Sequence, residues 1–430
     1  MSQRSQEEQR LLEKAARYLP GGSLGNVYSD PEHAFLIRGG KGSRVYDLSG
    51  NQYIDYLLGS GPMILGHAHP TVVQAVQETV ERGSTFFATN DTAVELAEEI
   101  VQAVPCAEMV RFTTSGTDAT FQCLRVARAY RRRDKVLKFE GGYHGTHDYA
   151  LMSVNPPEPP PFPQSVPASA GIPRAIQELV LVAPFNDLET TTAVIEQHHE
   201  ELAAVIVEPL QRVLAPRPGF LQGLRELTTH YGIPLVFDEV VTGFRLAYGG
   251  AQEFYGVVPD LAALGKTVGG GFPLGAVCGR AELLRAYDPA SQETDSFVPQ
   301  IGTLNGNPVA AAAGLATLRE LKKEGVYQHI HQMGSRLREN LERLLREAEL
   351  PAQVSGEDPC FDVLFTDTPI TDYRSTLSHD KTQAKRFHTL LLREGVLKSE
   401  QKFYLGLCHT PQDIEETVQA LTRVVEQLQG

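Results

Sequence analysis

The stretch DLAALGKTVGGGFPLGA, residues 260–276, puts a lysine at the end of a short apolar strand. The strand reads through Leu264; Gly265 and Lys266 follow, with Gly269, Gly270 and Gly271 close behind. A lone lysine is ordinarily a solvated surface charge. This one has few charged neighbours in sequence and glycine on both sides, the pattern of a lysine tip with backbone held close around it. Desolvation lowers a lysine's pKa and makes its amine a nucleophile able to form Schiff bases. The glycines read as clearing space for that amine to swing.

Working outward, short apolar runs recur at 109–113 (MVRFT), 135–139 (KVLKF), 179–183 (LVLVA), 204–208 (AVIVE), 234–238 (PLVFD) and 275–279 (GAVCG), with helical stretches between them. Strands alternating with helices predict βαβ units and a mostly parallel sheet covered on both faces. Such sheets place ligands at the carboxyl ends of their strands. RVYDLSGNQYIDY (44–56) reads as a hairpin turning at Ser49-Gly50-Asn51. Leu11, Leu12, Ala15, Ala16 and Leu19 give the first helix an apolar face, and Pro20-Gly21-Gly22 stops it. After about residue 315 the chain reads as helical: Met333, Leu337, Leu341 and Leu344 share one face, and Ile414, Val418, Leu421, Val425 and Leu428 another. Thr410 and Pro411 suit the cap and first position of that last helix. The proline-rich stretch 155–173 excludes helix and central strand, and reads as a long loop, a lid or an interface arm.

Chemistry gathers at the expected strand ends. In FTTSGTDAT (112–120) the residues Ser115, Gly116 and Thr117 open a helix, which makes either an anion cradle or an ordinary turn and cap. In LVFDEVVTGFR (235–245) a buried strand ends in Asp238-Glu239, either an N-cap or structural ion pair or a partner for a cation in the crevice. In FEGGYHG (139–145) Gly141 and Gly142 lead to Tyr143 and His144, where the tyrosine either packs in the core or stacks on a flat ligand. An anion cradle, a stacking aromatic, a carboxylate and a Schiff-base lysine together fit one compound, a flat phosphorylated heterocyclic aldehyde: pyridoxal 5'-phosphate.

These segments, with GPMILGHAHP (61–70) and GTLNGNP (302–308), resemble the class III pyridoxal-phosphate-dependent aminotransferases, and within them the glutamate-1-semialdehyde 2,1-aminomutase subgroup. The resemblance implies fold-type I. A large domain (66–315) would hold a mostly parallel seven-stranded sheet, and a smaller α+β domain would be built from both termini (1–65 and 316–430). It implies Lys266 as the cofactor lysine and proton shuttle, and Asp238 on the pyridine nitrogen. Tyr143 and Val240 would flank the ring, with His144 beside them, and Ser115, Gly116 and Thr117 would hold the phosphate. Gly302 and Thr303 would reach the phosphate from a neighbouring subunit of a homodimer with shared sites. Glu208 of VEPL stands where the family has an acid near the cofactor, and Asp118 stands in place of the usual glutamate. Three departures bear on substrate: Tyr28 where the aminomutase has an arginine, Ser60 for a tryptophan, and Gln401 where the aminomutase has glutamate and related β-amino-acid aminotransferases arginine. They describe a roomier pocket with fewer fixed charges, suited to a bulky, uncharged amine. The expected activity is therefore an aminotransferase moving an amino group from an amine or amino acid to a keto acid, aldehyde or ketone, with Lys402 or Arg245 left to bind an acceptor carboxylate. The alternative is an isomerase that moves or inverts the amino group within one molecule. Intact Lys266, Asp238 and Tyr143 argue against a non-catalytic binding protein.

Composition agrees. The chain has 430 residues, 42% hydrophobic and 21% charged, with a net charge of −14. That balance argues against nucleic acid or an anionic membrane as partner. The basic run RAYRRRDK (128–135) reads as a solvated helix end. Five scattered cysteines without a CxxC pair point to a reduced, cytoplasmic chain. No run of roughly 18 apolar residues signals a membrane span. The histidines of GHAHP and YHGTH lack acidic or cysteine co-ligands, so no metal is expected.

Overall fold

A computed structural model describes residues 4–25 and 33–429, so Tyr28 lies outside the described residues. Near the N-terminus, β1 (Ile37–Lys41), β2 (Arg44–Asp47) and β3 (Gln52–Asp55) form an antiparallel meander, with the expected hairpin joining the last two. The central sheet follows: β4 (Met109–Thr113), β5 (Lys135–Phe139), β6 (Val180–Ala183), β7 (Leu202–Val207), β8 (Leu235–Glu239), β9 (Leu261–Leu264) and β10 (Gly275–Gly279). These seven strands lie in the order β4-β10-β9-β8-β7-β5-β6. Only β10 runs against the rest, pairing antiparallel with both β4 and β9. All other strands therefore end at the same edge, and register sets Asp238 beside Ala263 and Glu239 beside Leu264, two residues short of Lys266.

The strands are nearly continuous apolar runs because both faces are covered. On one face Val136, Ala204, Ile206, Val236, Ala263 and Val277 pack against Ala119, Cys123, Val126 and Ala127 of the helix Gly116–Arg131. On the other, Leu137, Val205, Val207, Leu235 and Phe237 meet Phe220, Leu221 and Leu224 of the helix Phe220–His230. The alternation along each strand is the strand period of two made visible.

The C-terminal region is less helical than its sequence suggests. It contains β11 (Gln353–Glu357), β12 (Cys360–Leu364), β13 (Val396–Leu397) and β14 (Phe403–Tyr404). β13 pairs parallel with β3, so the two ends of the chain share a sheet, while β11, β12 and β14 form another. The predicted helical faces are buried here: Met333, Leu337, Leu341 and Leu344 in Val326–Glu347, and Ile414, Leu421, Val425 and Leu428 in Pro411–Gln429. Thr410 caps the last helix, its Oγ1 accepting from the Asp413 amide at 3.2 Å. The first helix, Gln6–Tyr18, departs from expectation. Its one buried side chain is Glu8, which accepts from the Leu36 amide at 2.6 Å, while the apolar face stays partly exposed.

The proline-rich segment is a strap at the far edge of the sheet, and none of its residues lines the cavity described below. Pro163 accepts from the Val182 amide of β6 at 3.0 Å. Tyr373 donates to the Pro156 carbonyl at 2.8 Å, and Arg374 donates to the Pro160 carbonyl at 2.6 Å while lying over the Phe162 ring. The carbonyls freed by proline have found outside donors, which is why this stretch has order without regular structure. The basic run ends its helix as expected, with Arg128 Nε donating to the Asp134 carbonyl at 2.8 Å. No described helix is long and apolar enough to cross a membrane.

Candidate active site

At the carboxyl edge of the sheet lies a cavity of about 980 Å³. Its walls include Ser60, Ser115, Gly116, Thr117, Tyr143, His144, Glu208, Asp238, Val240, Lys266 and Gln401, which the sequence singled out from seven separate segments. Gly302 and Thr303 are absent from it. They line a neighbouring depression with Thr114, Asp118, Gln122 and Arg125, and Thr303 is exposed.

Ser115 caps the helix Gly116–Arg131, its Oγ accepting from the Asp118 amide at 3.1 Å. The first-turn amides of Gly116 and Thr117 take no acceptor among the described residues, and they sit at the positive end of a long helix dipole. Gly116 is required there. A Cβ on it would stand 2.6 Å from Val240 Cγ1. Thr117 Oγ1 and the Thr120 side chain complete the turn, the latter donating to the His144 carbonyl at 2.6 Å.

β8 alternates its two acids. Asp238 faces the cavity, and its Oδ2 lies 2.7 Å from His144 Nδ1 while its Oδ1 accepts from the Val240 amide at 3.1 Å. Both partners are buried, and His144 Nε2 has no hydrogen-bond partner. Glu239 faces away and accepts from the Ala251 amide and Thr242 Oγ1; burial pushes its carboxyl up to about 7. The structural reading therefore holds for Glu239, and Asp238 is the acid presented to the cavity. Tyr143 is only partly covered, and its amide donates to Glu208 Oε2 at 2.9 Å.

Lys266 follows the Gly265 hinge in the left-handed region, φ 49°, a conformation that costs a side-chain-bearing residue about 1 kcal/mol. Its Nζ donates to the Ser60 carbonyl at 2.9 Å. Burial, then the nearby cations Lys402, Arg245 and Arg212, push the ammonium down from 10.5 to about 8. Among the described residues no carboxylate pairs with it, so its neutral form is accessible near physiological pH.

The glycines do other work than clearing space for the lysine. A Cβ on Gly270, φ +57°, would meet the Ala313 carbonyl at 2.5 Å, and one on Gly271 would meet Met63 Sδ at 2.6 Å. They let the turn after Lys266 pack on the helix Pro308–Leu321. Likewise a Cβ on Gly141 would strike Tyr373 at 2.6 Å, so that glycine makes room for the strap's clamp.

The cavity also holds more fixed charge than the sequence suggested. Arg212, Lys385, Lys398 and Lys402 all line it. Lys398 pairs with Asp362 at 3.1 Å, and Lys402 is buried without an acceptor among the described residues. Arg245 is not available to a ligand. It is fully buried behind the Tyr404 ring, donating to the Leu405 carbonyl at 2.9 Å and to the Gly61 carbonyl. Sequence reading missed Arg212 because nothing local distinguishes it: its side chain reaches the cavity only through a left-handed backbone, φ 58°. His67 and His147 serve packing, His67 Nε2 lying 2.6 Å from Asp55 Oδ2 and burial holding His147 down near 3. Among the described residues no cluster of His, Cys, Asp and Glu could hold a metal.

An anion cradle, an opposed carboxylate, flanking Tyr143 and Val240 and a depressed lysine fit the expected cofactor, and the clash that any side chain at Gly116 would make marks the space as built. Comparison with known proteins agrees. The family model for class III aminotransferases matches residues 26–425. Glutamate-1-semialdehyde 2,1-aminomutase 2 of Brevibacillus brevis is 40% identical over 425 residues, 96% of each chain. An omega-transaminase structure from Sphaerobacter thermophilus superposes with a TM-score of 0.94 at 37% identity, covering 98% of both chains. A transaminase solved with PLP bound gives 0.91 at 30%, covering 99% of both. The chain belongs to the class III aminotransferases, a pyridoxal-phosphate-dependent family of fold-type I.

Proposed function

We propose that this enzyme uses pyridoxal phosphate bound at Lys266 to move the amino group of a carboxylate-bearing substrate, and we rank movement within one molecule ahead of transfer between two. The observation that carries the reading is the company Lys266 keeps: its depressed amine lines one cavity with the start of the helix Gly116–Arg131 and with Arg212 and Lys402. When bound, the cofactor supplies a reactive aldehyde and an electron-withdrawing ring. The chain's residues do the rest. The amides of Gly116 and Thr117, with the Ser115 hydroxyl, hold the phosphate. Asp238, held by His144, keeps a proton on the ring nitrogen. Tyr143 and Val240 fix the plane of the ring. Lys266 would hold the cofactor through its Nζ, and its free amine would take up and return the proton that the reaction moves. Its hydrogen bond to the Ser60 carbonyl parks the free amine close by.

Intramolecular movement is supported by the curated relative, whose name describes a 2,1 shift, and by cavity cations that suit an amino acid rather than an uncharged amine. This reverses the order in which the sequence alone ranks the two. Transfer between two molecules is the second reading, favoured by the likeness to the omega-transaminase and by Gln401 at the cavity rim. Incubation with glutamate 1-semialdehyde and no keto acid separates them. The first reading expects the isomer with nitrogen on carbon 1, in stoichiometric yield. Turnover that halts after one equivalent and resumes with added keto acid contradicts it and establishes the second. The proposal includes a homodimer: Gly302 and Thr303 lie outside their own chain's cavity, as residues lent to a neighbour's phosphate would.

A further inference from the structure

We propose that Arg212 is the specificity residue that anchors the substrate's carboxylate, an assignment that rests on the reading of this cavity as the amino-transfer site. Arg212 adopts φ 58°, a conformation natural to glycine and strained for arginine. Strain of this kind persists where the side chain has a task that the backbone would otherwise refuse. The side chain turns into the cavity, where its guanidinium lies 5.5 Å from the centre of the Tyr143 ring. Its one hydrogen bond is to a neutral group: Nη2 donates to Gln401 Oε1 at 2.5 Å. No carboxylate lies within ion-pairing distance of it among the described residues. The planar fork that suits a carboxylate is thus unspent.

The other charges of the cavity point the same way. Asp238 is engaged with His144, Glu208 with the Tyr143 amide, and Lys398 with Asp362, while Glu400 stands exposed at the rim. Arg212 and buried Lys402 have no ion-pair partner among the described residues. Both line the same cavity as Lys266 and add to the depression of its ammonium. Gln401 sits in the turn between β13 and β14, so a carboxylate that takes over Nη2 would displace a neutral amide and exchange a weak bond for a charge-assisted one. The structure supplies no comparable fork elsewhere in the cavity, since Arg245 is buried behind Tyr404.

The test is calorimetric titration of the holoenzyme with glutarate, a dicarboxylate that carries no amine and cannot react. Arg212→Gly relieves the backbone, so the variant is expected to keep its melting temperature while binding glutarate roughly tenfold or more weakly, the scale of one charge-assisted hydrogen bond. Arg212→Lys should recover part of the loss. Butylamine, which has no carboxylate and is followed by the cofactor's visible absorbance, should lose far less affinity in Arg212→Gly than glutarate does. Three results would overturn the assignment: undiminished glutarate binding in Arg212→Gly, a loss that comes with a lowered melting temperature, or a loss seen in Lys402→Met but not in Arg212→Gly. Wild-type protein that fails to bind glutarate also overturns it. Should no amine or amino acid alter the cofactor's absorbance, the amino-transfer reading falls, and the glutarate titration still decides what Arg212 does.

Discussion

In the proposed reaction Lys266 and Asp238 carry the chemistry, and each makes a measurable claim. In the unfolded chain Lys266 titrates near 10.5, and in the folded, cofactor-free protein near 8. Between those values the unfolded chain holds more protons, so this lysine makes stability rise with pH across the window. The penalty for its charge is fully present below about 8 and gone above 10.5. The same shift predicts that cofactor uptake by the apoprotein reaches half its maximal rate near pH 8; a midpoint near 10.5 would mean that the lysine is unperturbed. Asp238→Asn removes one charge from a buried hydrogen-bonded pair. It should lower kcat roughly ten- to hundredfold, the equivalent of about 1.5–3 kcal/mol, with the fold kept as judged by circular dichroism. Lys266 and Asp238 were legible in the sequence because each ends an apolar run where an isolated charge is out of place. Arg212 was not, because its meaning lies in a backbone angle and in what surrounds it across space.

At the scale of elements, the turn after Lys266 shows how glycine patterns mislead. Three neighbouring glycines read as room for a mobile lysine, yet Gly270 and Gly271 are there to seat the turn on the helix Pro308–Leu321 and on Met63. Gly270→Ala should therefore destabilise by about 2 kcal/mol or more through left-handed strain and a backbone clash, whereas Gly232→Ala, at φ +60° with open space around it, should cost about 1 kcal/mol. Thermal melts of the two variants measure the difference, and equal melting temperatures would show that packing at Gly270 is dispensable. The proline-rich strap makes a parallel claim. Arg374 pairs with buried Glu140 at 2.8 Å and holds the Pro160 carbonyl. Arg374→Ala should open 155–173 to protease and cost about 2 kcal/mol, less than a fully buried pair because Arg374 is partly exposed. The central strands were legible to within a residue or two because their apolar runs are unbroken. β11 to β14 were not: β11 reads QVSGE, with no apolar run, β12 has an acid at its centre, and β13 and β14 have only two residues each.

Across the whole molecule, one edge of the sheet gathers residues from segments as far apart in the chain as His33 and Tyr404, and the chain's two ends meet where β13 joins β3. Parallel topology does this, since every strand but β10 delivers its last residue to the same side. The sequence therefore located the cavity through a rule about sheets and named Lys402, but it misjudged the cavity's charge, because Arg212 arrives from a loop that no strand-end rule covers. The proposed shared-site homodimer predicts complementation. Lys266→Ala and Thr303→Arg protomers, each inactive alone, should regain activity when unfolded and refolded together, since one site of the mixed dimer then has both residues intact. A mixture that stays inactive while mass measurement shows mixed dimers would mean that each chain completes its own site.

The central claim is that the cofactor is held by Lys266, and borohydride reduction of the holoenzyme followed by peptide mass analysis tests it most directly. The account predicts a phosphopyridoxyl group on the peptide carrying Lys266 and no label in Lys266→Ala. A label on Lys138, Lys398 or Lys402 instead, or none after incubation with pyridoxal phosphate, would contradict it.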